Sequence, residues 1–385
     1  MKVLFFNYEY PPLGAGAANA TFYIMREFSR FSEIEIDVVT ASPDNQFHLE
    51  KVGKNITIHK LPIGKDNKNL LYQSNKDILK YSFKAYFYSK KLLRKNKYDL
   101  THSFFAIPCG FLSLVIKKFY KIPYVVSLRG ADVPGYNAAR FSLMYKFLTP
   151  LIKYIWKEAR EVIANSEGLR QLALNSNPQQ KIGIIFNGID LNEFTPKNSS
   201  EADSDKFQII SISRLIPRRG LNYLVGAVEL LHKKYSQINL KIVGEGDQRV
   251  FLENQIREAK LENHVELAGR VNHDEIAKLA QDSQVFALVP VYEGMSNAML
   301  EAVAIGLPII ATSAGGTDEL VQDGVNGFVV KAKNSDDIAE KLEKLINNPD
   351  LTKKMGIESR KIAEKMSWES VAQKYFEVYK KIVKK

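Results

Sequence analysis

Between Glu293 and Glu301 the chain reads Glu-Gly-Met-Ser-Asn-Ala-Met-Leu-Glu, two carboxylates eight positions apart around a Gly/Ser turn. An apolar run at 283–289 precedes the turn, and another at 308–311 follows it. This pattern predicts a strand that ends in a glycine turn and enters a helix. The first amides of such a helix have no intrahelical partner, so they suit a phosphate. One carboxylate before the helix and one within it can hold hydroxyls on either side of a bound pyrophosphate. That is the chemistry of gripping a nucleotide-sugar.

Other residues could share that work. Arg214 and Arg219 flank Leu-Ile-Pro-Arg218 directly after a predicted strand, and Gly220 follows. Two guanidiniums there can neutralise a diphosphate leaving group; Arg218 reads as the solvent-facing member of the three. Gly14 and Gly16, in Pro-Pro-Leu-Gly-Ala-Gly, follow the first predicted strand and precede a helix. They permit close backbone approach, and the helix start favours an anionic group. The third glycine of a dinucleotide fingerprint is missing. Gly244, Glu245 and Gly246 end another strand and leave room for a flat base or ribose; a plain turn is the alternative. Gly269-Arg270-Val271 can offer backbone groups to a base edge. His102 and Asp132 end strands of the first half and are expected at a substrate cleft. There is no HExxH, no cysteine cluster and no Ser-His-Asp spacing, so no metal is expected.

Regular elements must position these groups. Strand-like runs are expected at 2–6, 36–40, 56–60, 100–102, 124–127, 161–164 and 183–185, with helical periodicity at 17–31, 77–95 and 141–157. A second series of strands is expected at 207–213, 240–243, 265–268, 285–289 and 308–311. Helices at 221–235, 248–260, 274–282 and 298–305 intervene. Alternating strand and helix implies parallel sheets with right-handed crossovers. The polar stretch 187–205 divides the series. The expected fold class is therefore α/β, with two Rossmann-like, doubly wound domains facing a central cleft. Their expected bounds are 1–190 and 191–367, and a final helix at 368–385 caps the second domain or crosses back to the first.

A length of 385 residues suits two domains, and 45% hydrophobic with 25% charged residues is an ordinary soluble composition. No apolar run approaches the roughly 20 residues of a membrane span. The apolar N-terminus lacks a cleavage site and reads as a strand rather than a signal peptide. A single cysteine, Cys109, precludes an intramolecular disulfide and points to a reducing cytoplasm. The net charge of +11 is lopsided. Up to Asp190 there are 27 basic and 15 acidic residues, a balance of +12; beyond it 27 and 28 leave −1. Residues 65–97 hold ten basic and two acidic residues together with six aromatics. Basic residues beside aromatics suit an anionic membrane surface, giving a cytoplasmic protein peripheral to the inner membrane face. An amphipathic helix with its aromatics in the core is the plainer reading. No nucleic-acid recognition motif accompanies the charge.

Taken in order, these pieces resemble the retaining glycosyltransferases of family 4, which have the GT-B fold. The resemblance spans nearly the whole chain: Gly14-Ala-Gly16, Arg129-Gly-Ala-Asp132, Asn187-Gly-Ile-Asp190, Ser213-Arg-Leu215 with Arg219-Gly220, Val243-Gly-Glu-Gly246, Gly269-Arg-Val271, and Glu293 to Glu301. It implies that Glu301 holds the donor ribose and that Glu293 contacts the transferred sugar. Amides of Gly294, Met295, Ser296 and Asn297 would bind the sugar and diphosphate, and Arg214 and Arg219 the leaving group. Gly14, Gly16, Gly244, Glu245, Arg270 and Val271 would complete the donor site. His102, Arg129, Asp132 and Asn187 would serve the acceptor or sugar. Such enzymes usually need no metal.

The resemblance further implies a hexose or N-acetylhexosamine moved from a nucleotide-sugar, UDP-linked by expectation, to a lipid-linked or cell-envelope glycan. Two departures stand out. Arg219 replaces a common Lys. Arg129 replaces a common His that contacts the donor sugar, which suggests a different acceptor, such as one bearing phosphate. A nucleotide-sugar epimerase of the same architecture and a non-catalytic nucleotide-sugar-binding protein are the competing readings.

Overall fold

A computed structural model describes residues 1–67, 70–71, 73–136, 138–196, 206–291, 296–314, 317 and 319–384, with backbone alone at 138–144, 146, 273 and 274. The chain divides into two compact units, Met1–Gly188 with Trp368–Lys385, and Ile189–Ser367. The division falls two residues before the expected one.

In the first unit the strands are β1 (Lys2–Phe6), β2 (Glu35–Ala41), β3 (His48–Val52), β4 (Ile56–Leu61), β5 (Leu100–Phe104), β6 (Tyr124–Leu128), β7 (Glu161–Ala164) and β8 (Gly183–Ile184). Its helices are α1 (Gly16–Phe28), α2 (Asn75–Lys95), α3 (Phe111–Tyr120), α4 (Ala138–Glu158) and α5 (Glu167–Ser176). Among the described residues the sheet order is β3-β4-β2-β1-β5-β6-β7-β8. Only β3 is antiparallel, pairing with β4 at the edge. The order reverses between β1 and β5, and open α/β sheets bind ligands at such a point, beyond the strand C-termini. β5 and β6 are buried along their whole length; β6 reads as a nearly continuous apolar run, whereas the Thr, His and Ser of β5 take their partners inside the protein.

The second unit contains β9 (Phe207–Ile212), α6 (Leu221–Leu231), β10 (Ile238–Val243), α7 (Arg249–Glu258), β11 (Val265–Gly269), α8 (His273–Gln281), β12 (Val285–Leu288), α9 (Asn297–Ile305), β13 (Ile309–Thr312), β14 (Gly327–Val330), α10 (Ser335–Ile346) and α11 (Pro349–Glu364). Its described strands run β11-β10-β9-β12-β13-β14, all parallel. Here the order reverses between β9 and β12. The loop after β9 carries the arginines, and the turn after β12 leads to α9.

The last helix, α12 (Trp368–Val383), returns to the first unit. Trp368, Tyr375 and Tyr379 are buried there. The Trp368 ring stacks on Tyr23 of α1 at 5.2 Å, and Tyr379 stacks on Phe28 at 5.9 Å. No helix among the described residues is long and apolar enough to cross a membrane.

Candidate active site

In the second unit the sequence builds a rigid seat where the sheet order reverses. Gly220 follows one 3-10 turn, Pro217–Arg219, and lies at φ 66°, where a side chain is strained. A Cβ on Gly220 would collide with the Val289 carbonyl at the end of β12. The Val291 N–H also donates to the Arg218 carbonyl at 2.9 Å. The arginine loop is thus knitted to Val289 and Val291, just past β12. Arg219 and Arg218 are half-buried and Arg214 is exposed, so Arg214, not Arg218, is the solvent-facing member.

Ser296 caps α9: its hydroxyl accepts the Met299 N–H at 3.2 Å, and Gly306 closes the helix in the left-handed region. Met299, Leu300 and residues 302–305 are all buried. Glu301, in the second turn, is the helix's only charged side chain and is half-buried. A carboxylate is a costly choice on a helix buried nearly all round, which favours a functional role. Asn297 is the first helical residue. Glu293, Gly294 and Met295 lie outside the described residues.

The glycines of Val243-Gly-Glu-Gly246 have a different purpose from the expected one. Gly244 lies at φ 143°, and a Cβ there would collide with the Ser213 carbonyl. A Cβ on Gly246 would strike the Leu215 backbone. The Leu215 N–H donates to the Glu245 carbonyl at 2.9 Å, and the Gly244 N–H to the Gly269 carbonyl at 2.8 Å. The space that the glycines make is filled by the protein's own arginine loop. The Glu245 carboxylate pairs with Arg249 at 2.8 Å. Arg270 is exposed and Val271 half-buried just beyond β11.

In the first unit two expected ligand contacts prove to be internal. His102 is fully buried in β5, with Nδ1 2.5 Å from the Tyr379 hydroxyl and Nε2 2.8 Å from that of Ser127. Both ring nitrogens are taken, and burial, then the nearby Arg129 charge, pushes its pKa well down. It is a neutral core histidine. Asp132 is buried and accepts N–H bonds from Ala106 at 2.9 Å, Arg129 at 3.0 Å and Gly130 at 3.1 Å. It ties the ends of β5 and β6 together. Arg129 donates to Asn187 at 2.8 Å and to the Tyr375 hydroxyl at 3.1 Å, with its guanidinium 3.5 Å from the centre of the Phe104 ring. The structure therefore joins Arg129 both to Asn187 and to Tyr375 of α12.

The Gly14–Gly16 loop also differs from expectation. The N-terminus of α1 has no cap from its own N-cap residue, Ala15. Glu9 supplies an internal anion instead, accepting the Ala15 N–H. Gly14, at φ 88°, packs so closely that a Cβ would lie 2.6 Å from Glu9 Oε2. Sequence reading missed Glu9; its signal was an acid just past the first strand and before the glycine turn.

These features have counterparts in known proteins. A model described as glycosyl transferases group 1 matches residues 193–362, and one described as glycosyltransferase family 4 matches 14–193. The chain is 27% identical to an uncharacterised glycosyltransferase of Methanocaldococcus jannaschii, over 99% of both chains. It is 28% identical to the poly(ribitol-phosphate) alpha-N-acetylglucosaminyltransferase of Staphylococcus aureus, over 59% of this chain and 46% of that one. The structure of HepE from Anabaena in complex with UDP superposes with a TM-score of 0.74, covering 99% of this chain and 100% of that one at 19% identity. The fold and the two matched regions define a GT-B glycosyltransferase. The first half of the chain thus matches glycosyltransferase family 4 and the second half glycosyl transferases group 1, and the protein is a transferase enzyme.

Proposed function

We propose that this enzyme moves a hexose or N-acetylhexosamine, with retention, from a UDP-sugar to a lipid-linked or cell-envelope glycan. The observation that carries the reading is the single carboxylate Glu301 on the buried helix α9, with the arginine loop bound to Val291 just past β12. Glu301 would hold the ribose hydroxyls, and the α9 N-terminus with Ser296 and Asn297 would hold the diphosphate. Arg214 and Arg219 would offset its growing charge as it leaves, without a metal ion. Glu293 would contact the transferred sugar. The acceptor oxygen would bond to the sugar carbon on the face that the phosphate oxygen vacates, and that phosphate oxygen would take the acceptor's proton. The UDP complex of HepE supports the choice of carrier. The name of the staphylococcal relative supports an N-acetylhexosamine and a phosphate-bearing envelope acceptor, which Arg129 beside Asn187 would suit.

An anionic membrane surface is the proposed partner of the first unit. On α2, Leu79, Phe83 and Phe87 are 70%, 68% and 52% exposed, while Tyr81, Ala85, Ser89 and Leu92 are buried. At helical pitch the exposed apolar residues share a face with the exposed Lys76, Lys80 and Lys91. This would hold the enzyme peripherally on the inner face of the membrane.

The test is UDP release from UDP-N-acetylglucosamine and UDP-glucose. Glu301→Ala and Arg219→Ala should each lower turnover at least a hundredfold with the melting temperature unchanged. Wild-type turnover by a folded Glu301→Ala protein would end the reading.

A further inference from the structure

Two carboxylates, the half-buried Glu9 and the buried Asp132, lie beyond the C-terminal ends of β1 and β6, near the point where the first sheet reverses its order, and they are satisfied very differently. Asp132 receives three backbone N–H bonds. Glu9 receives one, from Ala15, among the described residues. An ionised carboxylate has about four lone-pair sites, and buried polar groups are normally satisfied. Asp132 therefore has most of its accepting capacity filled, while Glu9 keeps most of its own.

The surroundings of Glu9 fix its position. Its own N–H donates to Asn7 Oδ1 at 3.1 Å. The Asn7 amide is fully buried and donates to the Thr21 hydroxyl at 2.8 Å and to the Ala17 carbonyl at 3.3 Å, so β1 and α1 hold it from both sides. Gly14 presses on the side chain, and the Gly14 N–H is itself tied to the Leu70 carbonyl at 2.8 Å. Glu9 nevertheless keeps some exposure and can be reached from solvent. Its charge reaches Tyr8 and Cys109. Burial pushes the Glu9 carboxyl up to about 7 against the Ala15 bond. A carboxylate with so few protein donors, half-buried just past the end of β1, fits a ligand that brings hydroxyl groups.

We propose that Glu9 binds the glycan acceptor: its carboxylate accepts hydrogen bonds from acceptor hydroxyls and orients them for transfer. This rests on the transferase reading above, and it adds a residue that takes no part in holding the donor. A second role for the same carboxylate, closing the start of α1, is purely structural. The two roles predict different kinetics. A cap affects every activity of the folded unit alike, whereas an acceptor ligand affects the acceptor steps alone.

The experiment compares wild type with Glu9→Gln and Glu9→Asp. UDP release from UDP-N-acetylglucosamine is measured in water alone and with a panel of methyl hexosides and methyl N-acetylhexosaminides, from pH 5.5 to 8.5. Release into water reports donor handling. The expected result is water release within twofold of wild type in both variants. For Glu9→Gln, acceptor KM should rise at least tenfold, and the rise of acceptor kcat/KM through pH 7 should disappear. Glu9→Asp should keep that rise and recover part of the KM. Equal losses in water release and acceptor transfer would make Glu9 a cap and overturn the proposal. An unchanged acceptor KM and pH profile in Glu9→Gln would also overturn it. Saccharide binding followed by calorimetry needs no turnover: it should weaken in Glu9→Gln, and equal binding by both proteins would overturn the proposal. Binding that weakens in Glu9→Gln while wild type consumes neither UDP-sugar would count against the donor reading and leave this one standing.

Discussion

Replacing Gly220 by Ala should damage the enzyme more than replacing Gly324, and the difference isolates one contact. Both glycines belong to the second unit, and both have left-handed backbones, at φ 66° and 74°. Any Cβ there costs about 1–2 kcal/mol in strain. A Cβ on Gly324 would meet nothing within 4 Å among the described residues, so strain is the whole cost. At Gly220 the new Cβ must also displace the Val289 carbonyl, a backbone atom fixed by β12. Forced repacking of that kind adds about 1–3 kcal/mol, for a total of about 2–5 kcal/mol. For a unit of this size each kcal/mol lowers the melting temperature by about 2–4 °C, so Gly324→Ala should lose about 5 °C and Gly220→Ala about 10 °C. The displacement also moves the Arg218–Val291 link, and with it the arginines relative to the start of α9. UDP affinity, measured by calorimetry, should therefore fall about tenfold or more in Gly220→Ala, roughly 1.4 kcal/mol, and stay unchanged in Gly324→Ala. If the two variants melt together and bind UDP alike, the close approach at Gly220 does not set the site.

Three further outcomes are expected. His102→Gln should destabilise the first unit by about 2 kcal/mol, because it breaks a buried hydrogen-bonded pair, yet leave sugar preference in the UDP-release assay unchanged. Asp37 is buried; burial raises its pKa, but bonds from His59 at 2.9 Å and Tyr98 at 2.7 Å, with the charges of His59 and Lys2, outweigh that and hold it below the usual range. A depressed carboxyl stabilises above its unfolded pKa and loses that contribution as pH falls through the folded value. Asp37→Asn should thus cost about 2 kcal/mol in urea melts at pH 7, with the gap to wild type closing below about pH 4. Lys76→Glu, Lys80→Glu and Lys91→Glu together should weaken binding to phosphatidylglycerol vesicles by at least about 3 kcal/mol, roughly a hundredfold, and salt should weaken the wild type in the same way. Binding unaffected by both would refute the membrane role of α2.

Glu9 offers one more check, from the opposite sign. Its folded pKa is raised, so the native state binds more protons than the unfolded chain between the usual carboxylate range and about 7. Stability of the first unit should fall as pH rises through that window, and Glu9→Gln should flatten the slope in melts across it.

Local pattern located most of the elements because each strand and helix has its own period. β1 and β7 match their expected bounds, and most other expected strands agree within a residue or two. β3 escaped because an edge strand alternating half-buried and exposed residues carries no apolar run. β14 escaped because Gly327 opens it; there a Cβ would strike the Ile309 backbone. The start of α9 was legible from Ser296 and the apolar run after it, since caps and periodicity are local signals.

The sequence by itself determined the order of strands and helices, the break between the two halves, and which residue types stand just past the strand ends. Those follow from neighbours along the chain. Only the tertiary structure decided what each side chain meets. It put Tyr379 and Ser127 on the two nitrogens of His102, filled the space beside Gly244 and Gly246 with the arginine loop, and left Glu9 short of partners while giving Asp132 three. Hydrogen-bond capacity is spent on whatever lies close in space, and α12 reaches β5 from more than 260 positions away along the chain, a distance that no local spacing encodes.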